Sequence, residues 1–406
     1  MTKPLRVLLM VENVALARDH RLRKHAGALV QAGAQVTVIC RRDPRNHAVA
    51  GVRVLDYPAP TDGSSKLGFV LEYLYSLLMA GGRTAQALLS GGFDVVQISS
   101  TPDVYFLLAA PLRLLRRRVV FDFKDLSPEM YAARYGRRDG LMYRLLLRFE
   151  RASLRTADHV VVVNEAVREV AVRRGGVPAT ATTLVGNGPR LGDLAVRPVR
   201  PELRGGHRYL CCLVGMMGPQ DSIDVGIEAV AHLVHTIGRT DCGFTFVGVG
   251  DAVDAAREQV ARLRLQPWVS FPGWAEAHEV QDYLSTADLG FEPNLEPFVS
   301  PVKAMEYMAF GLPFVAFDLP ETRRLAAGGA ALAPPGDVVA LAHLIDGLLA
   351  DPARRREMGR AGRRAVEQSL AWEHQQRAYL SVFDAPGGAD RGDLASDHQI
   401  STKGNH

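Results

Sequence analysis

The sequence contains little cysteine, with four among 406 residues. Cys40, Cys211 and Cys212 lie in apolar runs of strand character, and Cys242 begins another. Four cysteines are too few for a disulfide scaffold, and no thiol or imidazole partner stands at the short spacing that zinc sites use. The pattern therefore favours reduced thiols buried in a hydrophobic core over metal ligands.

The sequence also lacks a long hydrophobic run. No segment reaches the eighteen or so uninterrupted apolar residues that a membrane-spanning helix needs. The N-terminal stretch MTKPLRVLLMVEN is only briefly apolar, and no small-residue cleavage site follows it. It therefore fits a first buried strand better than a signal peptide, and we expect a cytoplasmic protein.

The sequence also has only a small excess of positive over negative residues. The formal net charge is +4 at pH 7, and the sequence shows no helix-turn-helix or RNA-binding signature, so nucleic acid is not an expected partner. The 47% apolar and 23% charged residues are ordinary for a soluble protein. At this length, the chain is expected to form two core-bearing domains.

Apolar runs alternate with segments of helical period along the chain, as in the βαβ units of parallel sheets. Six such runs lie in each half, which predicts an α/β protein with two doubly wound domains. A segment rich in Pro, Gly and Arg, residues 187–206, is the predicted linker. We place the domains at residues 1–200 and 201–370, and we expect residues 385–406 to be disordered.

The segment SPVKAMEYMAFGLPFVAFD, residues 300–318, has the strongest functional signal. It predicts a loop and a short helix between two buried strands, with Ser300 as N-cap, Pro301 at the first helical position and Lys303 one turn in. The free N–H groups of such a helix attract phosphate, and Glu306 is suited to bind a sugar diol. A capped surface helix whose glutamate complements the helix dipole is the alternative.

This segment resembles the donor-sugar signature of the retaining glycosyltransferases of family four, which have the GT-B fold. In that family two glutamates separated by seven residues flank the nucleotide sugar, and the second precedes an Ala-x-Gly-x-Pro turn. Glu306 matches the second glutamate, with Ala309, Gly311 and Pro313 following. The first falls on Phe298, so that carboxylate is missing. The resemblance implies donor binding by Glu306 and by Ser300, Pro301 and Val302.

Two segments of the first half resemble the family's cleft. DHRLRKHAGALVQAGAQVTVI (19–39) resembles its acidic-x-Arg helix entry, which implies that Asp19 and Arg21 lie on the acceptor side; a salt-bridged helix start is the alternative. FDFKDLSPEMYAARYG (121–136) resembles the segment where donor sugar and acceptor meet. Lys124 replaces the expected histidine there. The resemblance implies that Asp125 is a catalytic residue and that Glu129 lies on the acceptor side.

Three further segments resemble the family's donor domain and its approach. LVGNGPR (184–190) matches the turn before the linker, where we expect glycine to supply an unusual φ. VGMMGPQDSIDVGIEAV (214–230) matches a glycine-rich turn, but Met216 and Asp221 stand where many relatives carry Arg and Lys. We infer that Lys303 replaces part of that charge. FVGVGDAVD (246–254) matches the family's nucleotide-base pocket. The remaining implied donor contacts are Gly215, Gly218, Gly248, Gly250 and Trp274.

The resemblance implies two Rossmann-like domains facing across a cleft, with a helix at 371–384 crossing back to the first. It further implies front-face transfer of a hexosyl group from a nucleotide-diphosphate sugar, with retention and without a metal or other cofactor. Lys124, Asp125 and Lys303 are the candidate catalytic residues. The expected role is in making polysaccharide, glycolipid or a glycosylated metabolite. A sugar-nucleotide epimerase and a non-catalytic nucleotide-sugar-binding partner protein are the alternatives.

The first half also concentrates arginines beside apolar helix faces. Arg113 and Arg116 to Arg118 close one helix, and six more follow between residues 137 and 155. Basic amphipathic helices of this kind can lie on an anionic membrane, which would suit a lipid-linked acceptor at the inner face of the membrane. A small-molecule acceptor, with arginines forming a solvated rim around core-facing leucines, remains the alternative.

Overall fold

The computed structural model describes residues 3–12, 14–59, 66–101 and 103–384. Its strands form two separate sheets, one of seven strands and one of six, in which every pair of neighbours is parallel. This arrangement confirms the α/β class and the two doubly wound domains. The segment 385–406, predicted to be disordered, lies outside the described residues.

The first sheet has the order β3-β2-β1-β4-β5-β6-β7. Its strands are short and rich in valine, and β4 is buried along its whole length because helices cover both faces of the sheet. The strands are β1 (Arg6–Met10), β2 (Gln35–Arg41), β3 (Val52–Tyr57), β4 (Val95–Ser99), β5 (Arg118–Phe123), β6 (His159–Val162) and β7 (Thr182–Leu184). The helices are α1 (His20–Gln31), α2 (Lys66–Leu89), α3 (Phe106–Leu114), α4 (Ser127–Tyr135), α5 (Gly140–Thr156) and α6 (Glu165–Arg173).

The second sheet has the order β10-β9-β8-β11-β12-β13. The strands are β8 (Tyr209–Val214), β9 (Cys242–Val247), β10 (Val269–Gly273), β11 (Leu289–Glu292), β12 (Phe314–Phe317) and β13 (Ala330–Ala333). The helices are α7 (Ile223–Ala231), α8 (Val253–Arg262), α9 (Ala277–Thr286), α10 (Val302–Ala309), α11 (Pro320–Ala326), α12 (Val338–Ala350) and α13 (Pro352–Ala365). In both sheets, the strand order reverses beside the first strand, which places the ligand crevice at the carboxyl ends of the strands.

The last described helix, α14 (Trp372–Asp384), returns to the first domain. Its Tyr379 ring stacks on His25 of α1 with ring centroids 4.0 Å apart, and its hydroxyl donates to Gln97 Oε1 at 2.8 Å. Both tyrosine and histidine are fully buried. The helix that crosses back, which the resemblance implied, is therefore confirmed, and it completes the core of the first domain.

The chain crosses between the domains twice, and the two crossings lie side by side. Trp372 N donates to Pro189 O at 2.9 Å, and Gly186 N donates to Gln375 Oε1 at 2.9 Å. A Cβ on Gly188 would lie 1.7 Å from Leu370 O. Glycine is thus required here for a close backbone approach. The expectation that this turn needs an unusual φ was wrong, since neither of its glycines has a positive φ.

Two local expectations differ from the structure. The strand β7 was not predicted, because its three residues, TTL, are too few to show a period. Helix α10 begins at Val302, with Pro301 in the N-cap position and no side-chain cap, so the expected cap by Ser300 is wrong. The φ of −78° and ψ of 67° at Pro301 keep that residue outside the helix.

In the part of the chain that the structure describes, no helix is both long and apolar enough to cross a bilayer.

Candidate active site

Two glycine turns form the floor of the crevice in the second domain. Gly215 follows β8 with φ +122°, and Gly248 follows β9 with φ +139°. A Cβ on Gly248 would lie 1.9 Å from Gly215 O, and one on Gly250 would lie 2.2 Å from Met217 O. Side chains are therefore excluded, and the two turns pack backbone against backbone. Such turns let a diphosphate approach the main chain closely.

Lys303, in the first turn of α10, reaches towards the Gly215 turn. Its Nζ lies 2.5 Å from Asp221 Oδ1, and a Cβ on Gly215 would lie 3.3 Å from its Cε. Asp221 also accepts from Gly218 N at 2.8 Å through its other oxygen. Asp221 stands where the family usually has a cation. It is thus the ion-pair partner of Lys303, the lysine that we inferred to replace that cation.

A second carboxylate, Glu292, lies beside this pair at the end of β11. The sequence reasoning missed it, although a glutamate inside an otherwise apolar strand is an available signal. Burial raises the pKa of Glu292, and the Lys303 ammonium opposes that shift. Its Oε2 is buried and has no hydrogen-bond partner among the described residues. Burial alone would lower the pKa of Lys303, but Glu292 and Asp221 outweigh it and raise that pKa.

Glu306 is half-buried one turn further along α10. Burial raises the pKa of its carboxyl group, and two ammonium groups oppose this shift, first Lys24 and then Lys303. Lys24 belongs to α1 of the first domain. The carboxylate that the resemblance assigned to the ribose is therefore under the electrostatic influence of both domains.

On the first-domain side, Lys124 and Asp19 form a partly buried ion pair with a distance of 3.0 Å between Nζ and Oδ2. Asp19 also caps α1 by accepting from Leu22 N at 2.9 Å. Burial alone would raise the pKa of Asp19, but the Lys124 ammonium and the Leu22 amide together lower it. The predicted salt-bridged helix start is present, with the lysine that replaces the family histidine as its partner.

Asp125 lies next to this ion pair in the loop after β5. Its N–H and that of Lys124 both donate to Ser100 Oγ, at 3.1 and 3.0 Å. Burial raises the pKa of the Asp125 carboxyl, Lys124 opposes the shift, and the negative charge of Asp19 adds to it. A carboxyl group with a raised pKa beside a cation is a common feature of active sites.

Other residues assigned to the site have structural partners. Arg21 is buried and binds Asp122 through two nitrogens, with 2.7 Å as the shortest distance, and its Nη1 donates to Val185 O. Glu129 is paired with Arg174, which also binds the buried Glu150. The roles of Arg21 and Glu129 in acceptor binding stay predictions.

Two further positions lie at the surface of the second domain. Trp274 is 65% exposed, and its indole N–H donates to Glu276 Oε1 at 3.3 Å. Met216, where relatives carry arginine, is 59% exposed. Neither side chain is enclosed by the protein, so both are accessible to a ligand at the rim of the crevice.

Phe298, at the position of the missing glutamate, packs against the hydrophobic core of the first domain. Its carbonyl accepts from Asn164 Nδ2 at 3.4 Å. Next to it is a cavity of about 260 Å³ between the domains, lined by Leu126, Tyr143 and Pro297 among others. At the position where the resemblance implies an acidic donor contact, this chain therefore has an apolar contact between the domains.

Comparisons with known proteins agree with this geometry. Residues 19–188 match the model of a glycosyl transferase 4-like domain, and residues 208–351 match that of glycosyl transferases group 1. The two matches leave the region 189–207 between them, which overlaps the predicted linker.

Individual proteins match over most of the chain. A glycogen synthase of Mycobacterium tuberculosis is 26% identical over 388 residues, which cover 90% of each chain. The structure of a sucrose-phosphate synthase from Thermosynechococcus elongatus has a TM-score of 0.77 at 22% identity, covering 94% of this chain and 98% of that one. Anabaena Alr3699/HepE in complex with UDP-glucose gives a TM-score of 0.74 at 16% identity, with 94% and 99% covered.

The fold of two facing Rossmann-like domains is that of the GT-B proteins. The two family models together extend over both domains, and the site contains the glutamate and glycine turns of the donor signature. The chain therefore belongs to the glycosyltransferases of family four, enzymes that use nucleotide sugars as donors.

Proposed function

We propose that this enzyme moves a hexosyl group from a nucleotide-diphosphate sugar to an acceptor hydroxyl with retention of the anomeric configuration. The observation that carries this proposal is the placement of Lys303 at the start of α10, against the Gly215 turn and one turn before Glu306. A cation, a helix N-terminus and a glycine turn together form a site for a diphosphate that needs no metal.

In this proposal each domain supplies one half of the reaction. The Gly215, Gly248 and Gly250 turns, with backbone at Ser300 to Val302, meet the phosphates, and Lys303 neutralises the charge on the leaving group. Glu306 binds the ribose diol. Lys124 and Asp125 face the sugar and the acceptor, and the leaving diphosphate itself takes the proton of the incoming hydroxyl.

Metal and cofactor independence is part of the proposal. In the described ranges, no three His, Cys, Asp or Glu side chains are grouped as a metal site would require. The proposal predicts that a chelator leaves donor turnover unchanged, whereas an enzyme that depends on a divalent cation would lose activity.

The acceptor is proposed to be lipid-linked, because the first domain presents exposed apolar side chains on its helices. Leu71, Leu74 and Leu78 on α2 are more than half exposed, as are Leu114 at the end of α3 and Leu141 on α5. The same domain also carries positive charge on these helices, with Arg113 in the last turn of α3 and four arginines along α5. A domain with both exposed apolar side chains and arginines suits peripheral binding to an anionic membrane.

A non-catalytic nucleotide-sugar-binding protein is the second candidate. It is favoured by Phe298, which has no carboxylate and packs on the other domain, and by the pairing of Lys303 with Asp221. Such a protein would bind a nucleotide sugar but release no nucleoside diphosphate from it.

Thermal unfolding in the presence of UDP, GDP, ADP and their sugars would test the function. A ligand that binds only the folded state raises the unfolding midpoint, and we expect one nucleotide and its sugar to do so. Release of nucleoside diphosphate from that donor, and the anomeric proton coupling of the product, then separate enzyme from binding protein and retention from inversion.

A further inference from the structure

A cavity of about 690 Å³ lies between α4 and α5, at the loop that joins the two helices. Its apolar lining includes Tyr131, Leu141 and Met142, and its charged lining includes Arg137 and Asp139. Leu141 is 78% exposed, so the cavity opens to the outside of the first domain. None of these residues belongs to the donor site described above.

The cations at this cavity lack acidic partners. In the described part of the chain, neither Arg137 nor Arg144 forms an ion pair, and both are exposed. Arg144 Nε donates to Gly140 O at 3.3 Å, which holds its guanidinium group at the rim. Asp139 is the acidic group of the lining, and its side chain does not cap α5. Two guanidinium groups and one carboxylate leave a net positive charge beside apolar side chains.

Helix α5 presents the same combination along one exposed face. Leu141, Arg144 and Arg148 are all exposed and follow one another at intervals of three and four residues, which places them on one side of a helix. An uncharged lipid would leave the arginines without a partner, and a free phosphate would leave the leucine exposed to water. A phosphate that carries an apolar chain matches both features.

The helix pair also lies close to the candidate catalytic residues. Asp125 lies two residues before α4 begins, and Tyr131 lies roughly 6 Å along the helix axis beyond that beginning. The cavity of about 260 Å³ between the domains has Leu126 in its lining, together with Arg138 and Tyr143 of the same helix pair. The α4–α5 pair therefore borders both an outer cavity and the cavity next to Asp125.

We propose that the cavity between α4 and α5 binds the lipid phosphate of the acceptor. Arg137 and Arg144 donate to the phosphate oxygens, and Leu141 and Met142 contact the first part of the lipid chain. The saccharide that the phosphate carries extends along α4 towards Asp125. This inference rests on the proposed function and adds to it the place where a lipid-linked acceptor is held.

Calorimetric titration with dodecyl phosphate, below its micelle concentration and without a donor, tests the proposal. Wild type should bind one molecule. Inorganic phosphate and the uncharged octaethylene glycol dodecyl ether should each bind about tenfold more weakly or worse, because each lacks one of the two features.

Variants of the two arginines test the contact directly. Arg137→Met/Arg144→Met should weaken binding of dodecyl phosphate by about 25-fold, about fivefold for each charge. Arg137→Lys/Arg144→Lys keeps both charges and should stay within about threefold of wild type. Arg155→Met is the matched control, since it removes one exposed arginine from the same helix but at its far end, and it should bind as wild type does.

Wild-type affinity in Arg137→Met/Arg144→Met would overturn the proposal. So would an equal loss in Arg155→Met, because a charge anywhere on α5 would then be sufficient. If dihexanoylphosphatidylglycerol binds as tightly as dodecyl phosphate, the occupant is a bulk phospholipid and the assignment to the acceptor is wrong.

The proposed function is measured separately, by nucleotide binding. Nucleotide binding without binding of dodecyl phosphate would overturn this inference alone. If no nucleotide binds, the proposed function is wrong, and a cavity that still binds dodecyl phosphate is not an acceptor site.

Discussion

Lys303 and Asp221 form an ion pair at the turn where the resemblance implies cations. Asp221 stands where a lysine is usual, and the cation comes instead from α10, 2.5 Å away. The net positive charge that a phosphate would meet is therefore smaller than in relatives, unless the ion pair between Lys303 and Asp221 breaks. Because Glu292 is also nearby, this corner of the site contains two carboxylates for one lysine.

Lys303→Met should lower donor turnover by about two to three orders of magnitude, the effect of losing one strong electrostatic donor. It should also lower the free energy of unfolding by about 3–5 kcal/mol, because Asp221 is left buried without its partner. Steady-state kinetics and urea unfolding measure the two effects.

The double variant Lys303→Met/Asp221→Asn separates them. It should regain most of the stability and none of the turnover. Adding Arg at position 216 should restore part of the rate, since Met216 is exposed at the facing turn. Normal turnover in Lys303→Met would show that another cation, Lys124 or Lys24, neutralises the phosphate.

Among the elements, the turns after β8 and β9 depend most strictly on residue type. Gly248→Ala places a Cβ against Gly215 O, so we expect a loss of about 2–5 kcal/mol in the free energy of unfolding from backbone strain and overpacking. Gly238→Ala is the matched control, with a φ of +83° but no atom near the added Cβ, and it should cost only about 1–2 kcal/mol. Equal losses measured in urea would contradict the close approach of the two turns.

The exposed leucines of α2 lead to a prediction about binding to lipid. The protein should sediment with vesicles containing anionic lipid and detach as salt approaches molar concentration, where screening shortens to a few ångströms. Leu74→Ser/Leu78→Ser should weaken this binding, whereas Val339→Ser, an exposed apolar position on α12 of the second domain, should not. Sedimentation that does not depend on the charge of the lipid would contradict a contribution of the arginines to membrane binding.

Local elements were more predictable from the sequence than the partners of side chains. The strands other than β7 follow from apolar runs between turn residues, since a buried parallel strand is apolar on both faces. The pairing of Lys303 with Asp221 joins residues 82 positions apart, and no local pattern encodes it. Lys24 and Phe298 acquire their environments only where the two domains meet, and Glu292 only where β11 packs near Lys303 and Asp221, so these environments could not be predicted from sequence alone.

For the molecule as a whole, the interface between α14 and α1 makes stability depend on acidity. Burial lowers the pKa of His25 to about 3, although the Asp122 charge opposes the shift. Its pKa in the unfolded chain is the ordinary 6.5, so the unfolded state takes up a proton first as the pH falls. The contribution of His25 should therefore leave stability unchanged above pH 6.5 and lower it by about 1.4 kcal/mol per pH unit between 6.5 and 3.

His25→Phe keeps a ring against Tyr379 and removes the titrating group. Its free energy of unfolding, measured by urea at pH 7, 6, 5 and 4.5, should decline less steeply than that of wild type. Parallel declines in the two proteins would assign the acid sensitivity to other groups.

The two adjacent crossings of the chain also determine the order in which the domains can be completed. The second domain lies between residues 188 and 372, as an insertion between two parts of the first, and both of its ends leave from the same place. During synthesis, the second domain is whole before the ribosome has made α14. The first domain, although it comes first in the chain, must keep the surface around His25 and Gln97 uncovered until the helix containing Tyr379 emerges.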